Sequence, residues 1–225
     1  MDPGKFIVLE GIDGSGTTTE SILLGKYLFE KDKKNIVTLT REPTKLSLEG
    51  QEIRRRLEGK LLPGENVSDD PEYWANLFIR DRQWHLDHIV VPAVYSGQQV
   101  ISDRHKLSTI AYQSAQGADM DELIRRHQKM YGPDLTLILT VPLDVARERA
   151  RQAGRKPEYF DRLEFQQKVQ ENYLAAAERL AALRHHYWDK EEKIVVVDGS
   201  GTVEEVAKAI QKEVDELLGY DKKEK

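Results

Sequence analysis

A run of glycine and hydroxyl residues near the start of the chain has the composition of an anion cradle: Gly11-Ile12-Asp13-Gly14-Ser15-Gly16-Thr17-Thr18-Thr19. It follows a short apolar run and precedes a segment with helical spacing. Glycines permit the φ values and close backbone approach by which successive N–H groups surround an anion. A helix starting directly afterwards adds the positive end of its dipole. A threonine hydroxyl at that helix start is suited to ligating Mg²⁺. The spacing of Gly11 and Gly16 and the hydroxyl of Thr18 fit the phosphate-loop pattern G-x-x-x-x-G-K-[ST], but Thr17 stands where the pattern has lysine. Taken alone, the segment also fits an ordinary Gly-rich turn into a helix capped by threonine. As phosphate-holding candidates it offers Gly11, Asp13, Gly14, Ser15, Gly16, Thr17, Thr18 and Thr19.

Other residues with matching chemistry lie further along. Arg41, in Arg41-Glu42-Pro43, follows a second apolar run, and its planar fork suits phosphate. Phe78 and Arg82 are four apart and so share a helix face, where a ring could stack on a base and a guanidinium donate to it. Asp103-Arg104 follows a third apolar run; the carboxylate can hold Mg²⁺ and the guanidinium can grip a phosphate at two points. Arg147, Arg149, Arg151, Arg155 and Lys156 flank a loop with Gly and Pro, a composition that could close over a polyphosphate as a cationic lid. Each has a plainer reading. Arg41 fits a surface turn, Phe78 a core position with Arg82 paired to a carboxylate, and Asp103-Arg104 a structural ion pair. Arg147 and Arg151 fit a solvated helix face shared with Glu148. His85, His88, His185 and His186 lack further well-spaced ligands and read as helix-surface residues.

These groups need elements to position them. Five short runs rich in β-branched residues and leucine read as strands buried on both faces, at 5–10, 35–40, 98–102, 135–140 and 193–198. Helical patterns cover 18–30, 72–93, 145–151, 163–183 and 203–218, while 60–70 and 150–161 read as loops. Alternating strand and helix argues for an α/β fold with a five-stranded parallel sheet flanked by helices in three layers. Net charge −5 argues against the broad basic surface that nucleic-acid polymers need, and the absence of cysteine excludes disulfides and thiol catalysis. No stretch approaches the ~18 apolar residues of a membrane span. The first apolar run is too short for a signal-peptide core, so a cytoplasmic location is expected.

In order along the chain, the Gly-Ile-Asp-Gly-Ser-Gly loop, Arg41-Glu42-Pro43, Leu77-Phe78 with Asp81-Arg82 and His85, Pro92-Ala93, Ser102-Asp103-Arg104, Ser108 with Ala111-Tyr112-Gln113, Pro133-Asp134, and Asp161-Arg162 with Glu164 resemble the thymidylate kinase family over nearly the whole sequence. The resemblance implies a P-loop NTPase fold in one domain, 1–225, with a lid at about 150–161 and a charged tail at 219–225. It implies Mg²⁺-assisted, in-line phosphorylation of dTMP to dTDP, with ATP as co-substrate, in a homodimer that engages no membrane. Arg41 and Arg104 would hold the acceptor phosphate, with Asp13 near its sugar and phosphate. Phe78 would stack on thymine and Arg82 bond to it. Tyr112 would pack by the deoxyribose, and Ser108, Thr109 and Gln113 would line the same pocket. Thr18 and Asp103 would serve Mg²⁺. Catalytic roles would fall to Arg155, Arg151, Lys156, Asp13 and Arg104. His105 departs from the family's usual aromatic residue, and Thr17 from its lysine, so a lid cation is expected to stand in for that lysine. Alternatives are a nucleotide-binding protein with little turnover, or a kinase for another nucleoside monophosphate.

Overall fold

Continuous apolar runs require cover on both faces, and the central strands receive it. The computed structural model describes residues 2–66, 69–155, 158–183 and 192–220, with the backbone also of 184–187. Strands β1 (Phe6–Gly11), β2 (Val37–Arg41), β3 (Gln99–Asp103), β4 (Leu135–Thr140) and β5 (Lys193–Asp198) form one sheet in the order β2-β3-β1-β4-β5. Every neighbouring pair is parallel. Strand β1 is buried throughout, whereas the edge strands β2 and β5 are partly exposed.

Alternation along β1 sorts its side chains between two layers. Ile7 and Leu9 pack with Leu24 and Leu28 of α1 (Thr17–Lys31) and with Val206 and Ile210 of α9 (Val203–Leu218). Phe6 and Val8 pack on the other face against Leu86, Val90 and Val94. A larger cluster joins α3 (Pro71–His85), α5 (Lys106–Gln116) and α8 (Leu163–Tyr187) through Trp74, Ile110, Tyr112 and Tyr173. Among the described residues no helix is long and apolar enough to cross a membrane.

All five expected strands form, with shifts of one or two residues at some ends. The helices differ more. Helices α2 (Leu48–Leu57), α5 and α6 (Met120–His127) lie where no helical pattern was read, and α7 spans Leu143–Gln152. The expected helix at 72–93 is three pieces: α3, a π turn at Leu86–Val90 and α4 (Val91–Tyr95). The wide turn precedes Pro92, which has no N–H to continue an α-helical ladder.

The order of the strands reverses beside β1, so a crevice opens at the carboxyl ends of β1 and β3. The loop after β1, Arg41 at the end of β2, and Asp103-Arg104 at the end of β3 all arrive there.

Candidate active site

The glycine loop gains its shape from two positions. Gly14 has φ 85°, and a Cβ there would lie 2.1 Å from the carbonyl oxygen of Ala146, so only glycine lets α7 approach this closely. Gly16, at φ 101°, turns the chain into α1. The first helical bond of α1 runs from Glu20 N–H to Gly16 O at 3.0 Å, so the N–H groups of Thr17, Thr18 and Thr19 have no acceptor within the helix. These donors form one wall of a cavity of about 620 Å³.

At the floor of this cavity Thr18 Oγ1 donates to Asp103 Oδ2 at 2.5 Å, and Arg41 approaches the same oxygen at 3.2 Å. Asp103 Oδ1 is buried and has no hydrogen-bond partner. A hydroxyl and a carboxylate side by side, with one carboxylate oxygen unsatisfied, fit a divalent cation. Among the described residues no cluster of three or more His, Asp or Glu could hold a metal by itself. An ion here would therefore take most of its ligands from phosphate and water, as Mg²⁺ commonly does.

Arg104 adopts a left-handed backbone (φ 77°), rare for a residue with a Cβ. Its side chain is held at both nitrogens: NH1 donates to Gly11 O at 2.7 Å and to Tyr173 Oη at 3.0 Å, and NH2 to Asp13 Oδ1 at 2.6 Å. Arg155, from the segment between α7 and α8, meets the other Asp13 oxygen at 2.8 Å. Burial alone would raise the Asp13 carboxyl, but Arg104 and Arg155 outweigh it and hold it below the usual carboxylate range. Arg155 is thus latched to the glycine loop.

A narrow slot continues from the large cavity. Phe78, Thr109, Tyr112 and Gln113 line its inner part with Phe160 from the segment between α7 and α8, and Asp13, Arg54, Arg104 and Glu158 line both spaces. The amide oxygen of Gln113, fully buried, has no partner, while its amide nitrogen donates to Gln116 Oε1 at 3.2 Å. Helix α5, which carries these residues, is capped from β1: Glu10 Oε1 accepts from His105 N–H at 2.9 Å and Ser108 N–H at 3.2 Å, and Oε2 from Ser108 Oγ at 2.6 Å. Burial pushes the Glu10 carboxyl up to about 7 despite these donors and Arg104.

Two joined spaces, one beneath a glycine loop with a helix N-terminus and one flanked by an aromatic ring and an unsatisfied amide, are the geometry of two-nucleotide chemistry. Comparison with known proteins agrees. The family model described as Thymidylate kinase matches residues 9–210. A probable thymidylate kinase of Pyrococcus horikoshii is 41% identical over 182 residues, covering 80% of this chain and 86% of its own. That of Thermococcus kodakarensis is 36% identical over 221 residues, covering 96% and 100%. The thymidylate kinase of Caldicellulosiruptor saccharolyticus is 33% identical over 220 residues, covering 96% and 98%.

The chain belongs to the thymidylate kinase family.

Its fold is the α/β P-loop architecture of these nucleoside-monophosphate kinases. The structure brings together Asp13, Thr18, Arg41, Asp103, Arg104 and Arg155 around the large cavity, and Phe78, Ser108, Thr109, Tyr112 and Gln113 around the slot. Arg82 departs from expectation. It is 1% exposed and does not line the slot. Its Nε donates to Glu42 at 2.8 Å, NH2 to His105 O and Thr109 Oγ1 at 2.9 Å each, and NH1 faces His127 Nε2 at 2.7 Å. Arg151 also departs. Its side chain is 75% exposed and pairs with Glu148 at 2.7 Å, because two residues of helix separate it from the inward face. Arg149 holds that inward position, donating to Gly199 O at 2.7 Å and Gly201 O at 3.0 Å. Lys156 lies outside the described residues, as do the side chains of His185 and His186.

His85, expected on a helix surface, is fully buried between Glu42 Oε1 at 2.9 Å and Thr40 Oγ1 at 2.7 Å. His88 is on the surface, stacked on Trp84. The sequence reading missed Arg54, Glu158 and Phe160. Arg54 sits on the unread helix α2, and the other two sit in a loop whose path has no periodic signal.

His105 is buried edge-to-face against Phe6, with neither ring nitrogen hydrogen-bonded. An unsatisfied buried polar group is costly, so His105→Phe is expected to raise the unfolding free energy by about 1 kcal/mol in urea denaturation at neutral pH. A loss of stability would show that the imidazole makes a bond worth keeping.

Proposed function

We propose that the protein transfers the γ-phosphoryl group of ATP to the 5′-phosphate of dTMP, giving dTDP and ADP. The observation that carries the acceptor assignment is the buried, unpartnered amide oxygen of Gln113 in the slot beside Phe78. It calls for an N–H donor on the edge of a stacked ring. The imide N–H of thymine supplies one at ring position 3, where cytosine has an acceptor and carries its donor on the neighbouring exocyclic amine instead.

The arginines divide the work by position. Arg104, at the junction of the two spaces, holds the acceptor phosphate with Arg41, and Arg54 stands beside them. That phosphate is largely dianionic at neutral pH, its second pKa being about 6, so its oxygen attacks without a general base. A new bond forms between this oxygen and the γ-phosphorus while the bond to the β-bridging oxygen breaks, and ADP leaves. The N–H groups of Thr17, Thr18 and Thr19 cradle the donor phosphates. Arg155 shifts from Asp13 to the migrating phosphoryl group and takes the place of the lysine that Thr17 lacks. Arg149 and the Gly199–Gly201 turn hold the far end of the donor. Thr18 and Asp103 would hold Mg²⁺, which when bound neutralises charge on the β- and γ-phosphate oxygens.

The proposal includes one kinase unit over 1–225 with its lid at about 150–161, a homodimer, and a cytoplasmic location. Exposed Ile22, Leu39 and Leu46 lie around one surface hollow, an apolar patch of the kind a second copy covers. Thr17 favours a second reading, in which the protein binds nucleotides with little turnover. Calorimetry with dTMP and a coupled assay of ADP release separate the two. Turnover that requires dTMP, ATP and Mg²⁺ is expected; dTMP binding without ADP release would establish the second reading instead.

A further inference from the structure

We infer that His127 is a positioning residue for the acceptor base, acting through Arg82 and Thr109. The inference rests on reading the slot as the base pocket. His127 ends α6 and does not line the slot. Its Nδ1 lies 2.6 Å from the carbonyl oxygen of Leu123, an acceptor only, so the ring proton is on Nδ1. Nε2 therefore offers a lone pair, and Arg82 NH1 donates to it at 2.7 Å. Burial, with Arg82 next in effect, holds the imidazole well below its ordinary pKa, consistent with this neutral tautomer.

The bond gives NH1 its acceptor and completes the hold on a guanidinium whose other two nitrogens are bonded elsewhere. Glu42 holds Nε at 2.8 Å, and NH2 donates to His105 O and to Thr109 Oγ1 at 2.9 Å each. With its oxygen already accepting from Arg82, the Thr109 hydroxyl has its own proton free to donate, and Thr109 lines the slot. The sequence Leu123 carbonyl, His127, Arg82, Thr109 thus ends on a residue of the slot, whose hydroxyl proton the inference assigns to the acceptor base. The two middle members of this relay, His127 and Arg82, are each 1% exposed, so removing the His127 nitrogen takes a buried acceptor from Arg82 NH1.

The test uses His127→Asn and His127→Gln, read by calorimetry with dTMP and by steady-state kinetics. Asparagine retains a polar atom near Nδ1 and removes the one facing Arg82; glutamine places its amide oxygen near Nε2. His127→Asn is expected to bind dTMP about tenfold more weakly, with the dTMP KM raised to match and the ATP KM and kcat nearly unchanged. His127→Gln should restore dTMP affinity to within about threefold. Thr109→Val should weaken dTMP binding similarly, and combining it with His127→Asn should add little, since the two act in series. Wild-type affinity in His127→Asn, equal losses in the asparagine and glutamine variants, or an equal rise in the ATP KM overturns the inference. If His127→Asn does not fold, unchanged affinity in Thr109→Val overturns it. A wild-type protein that binds no dTMP refutes the reading of the slot, and the inference falls with it.

Discussion

Arg155→Ala is expected to lower kcat about 10²- to 10³-fold, the usual loss when one preorganised charge at a transition state is removed, while dTMP affinity stays within a few-fold. The expectation follows from two facts. Thr17 brings no charge to the position where lysine normally follows the β- and γ-phosphates. Arg155 lies 2.8 Å from Asp13 and 3.3 Å from Asp161, so its guanidinium is already at the glycine loop before any donor arrives. A donor phosphate carries more charge than Asp13 and competes for the same fork. If Arg155 fills the vacancy, Thr17→Lys should change the wild-type rate little and should recover part of the activity lost in Arg155→Ala. A kcat for Arg155→Ala within twofold of wild type would assign the missing charge elsewhere.

Arg104→Ala is expected to reduce kcat/KM for the acceptor about 10²- to 10³-fold, and Arg104→Lys to restore little of it. Arg104, like Arg54, lines both spaces, and its direction is fixed by Gly11 O, Tyr173 and Asp13 as well as by its left-handed backbone. Lysine would bring a charge but not a planar fork with two oriented nitrogens. The loss should appear in steady-state kinetics with varied dTMP at saturating ATP. Substantial activity in Arg104→Lys would mean that charge alone, without two-point geometry, holds the acceptor.

The parts of this site readable in the sequence are those carried by strand ends. A short apolar run followed by Gly, Arg-Glu-Pro or Asp-Arg marks both a strand and the place where its side chains emerge, which is why Arg41, Asp103 and Arg104 were located without coordinates. Side-chain direction within helices was less legible. Arg149 and Arg151 differ only by helical phase, and the phase of α7 is set where Ala146 packs against Gly14. Helix α5 escaped notice because its buried face includes Thr109 and Gln113, polar residues that the slot requires there. The spacing of Arg82 and Phe78 puts both on α3, but the partners of Arg82, namely Glu42, Thr109 and His127, come from segments 27 to 45 residues away. No local pattern reveals such a network. The π turn at Leu86–Val90 itself sets Leu86 and Val90, with Val94 of α4, against β1 and β3.

In the proposed function the Phe78–Gln113 slot selects a thymine-bearing monophosphate for phosphorylation. The direct measurement is ADP release with Mg·ATP across a panel of dTMP, dUMP, dCMP, dAMP and dGMP. Turnover is expected with dTMP, weaker turnover with dUMP, which keeps the imide N–H but lacks the methyl group, and little with the other three. Preference for dCMP or a purine monophosphate, or no ADP release with any acceptor, would contradict it.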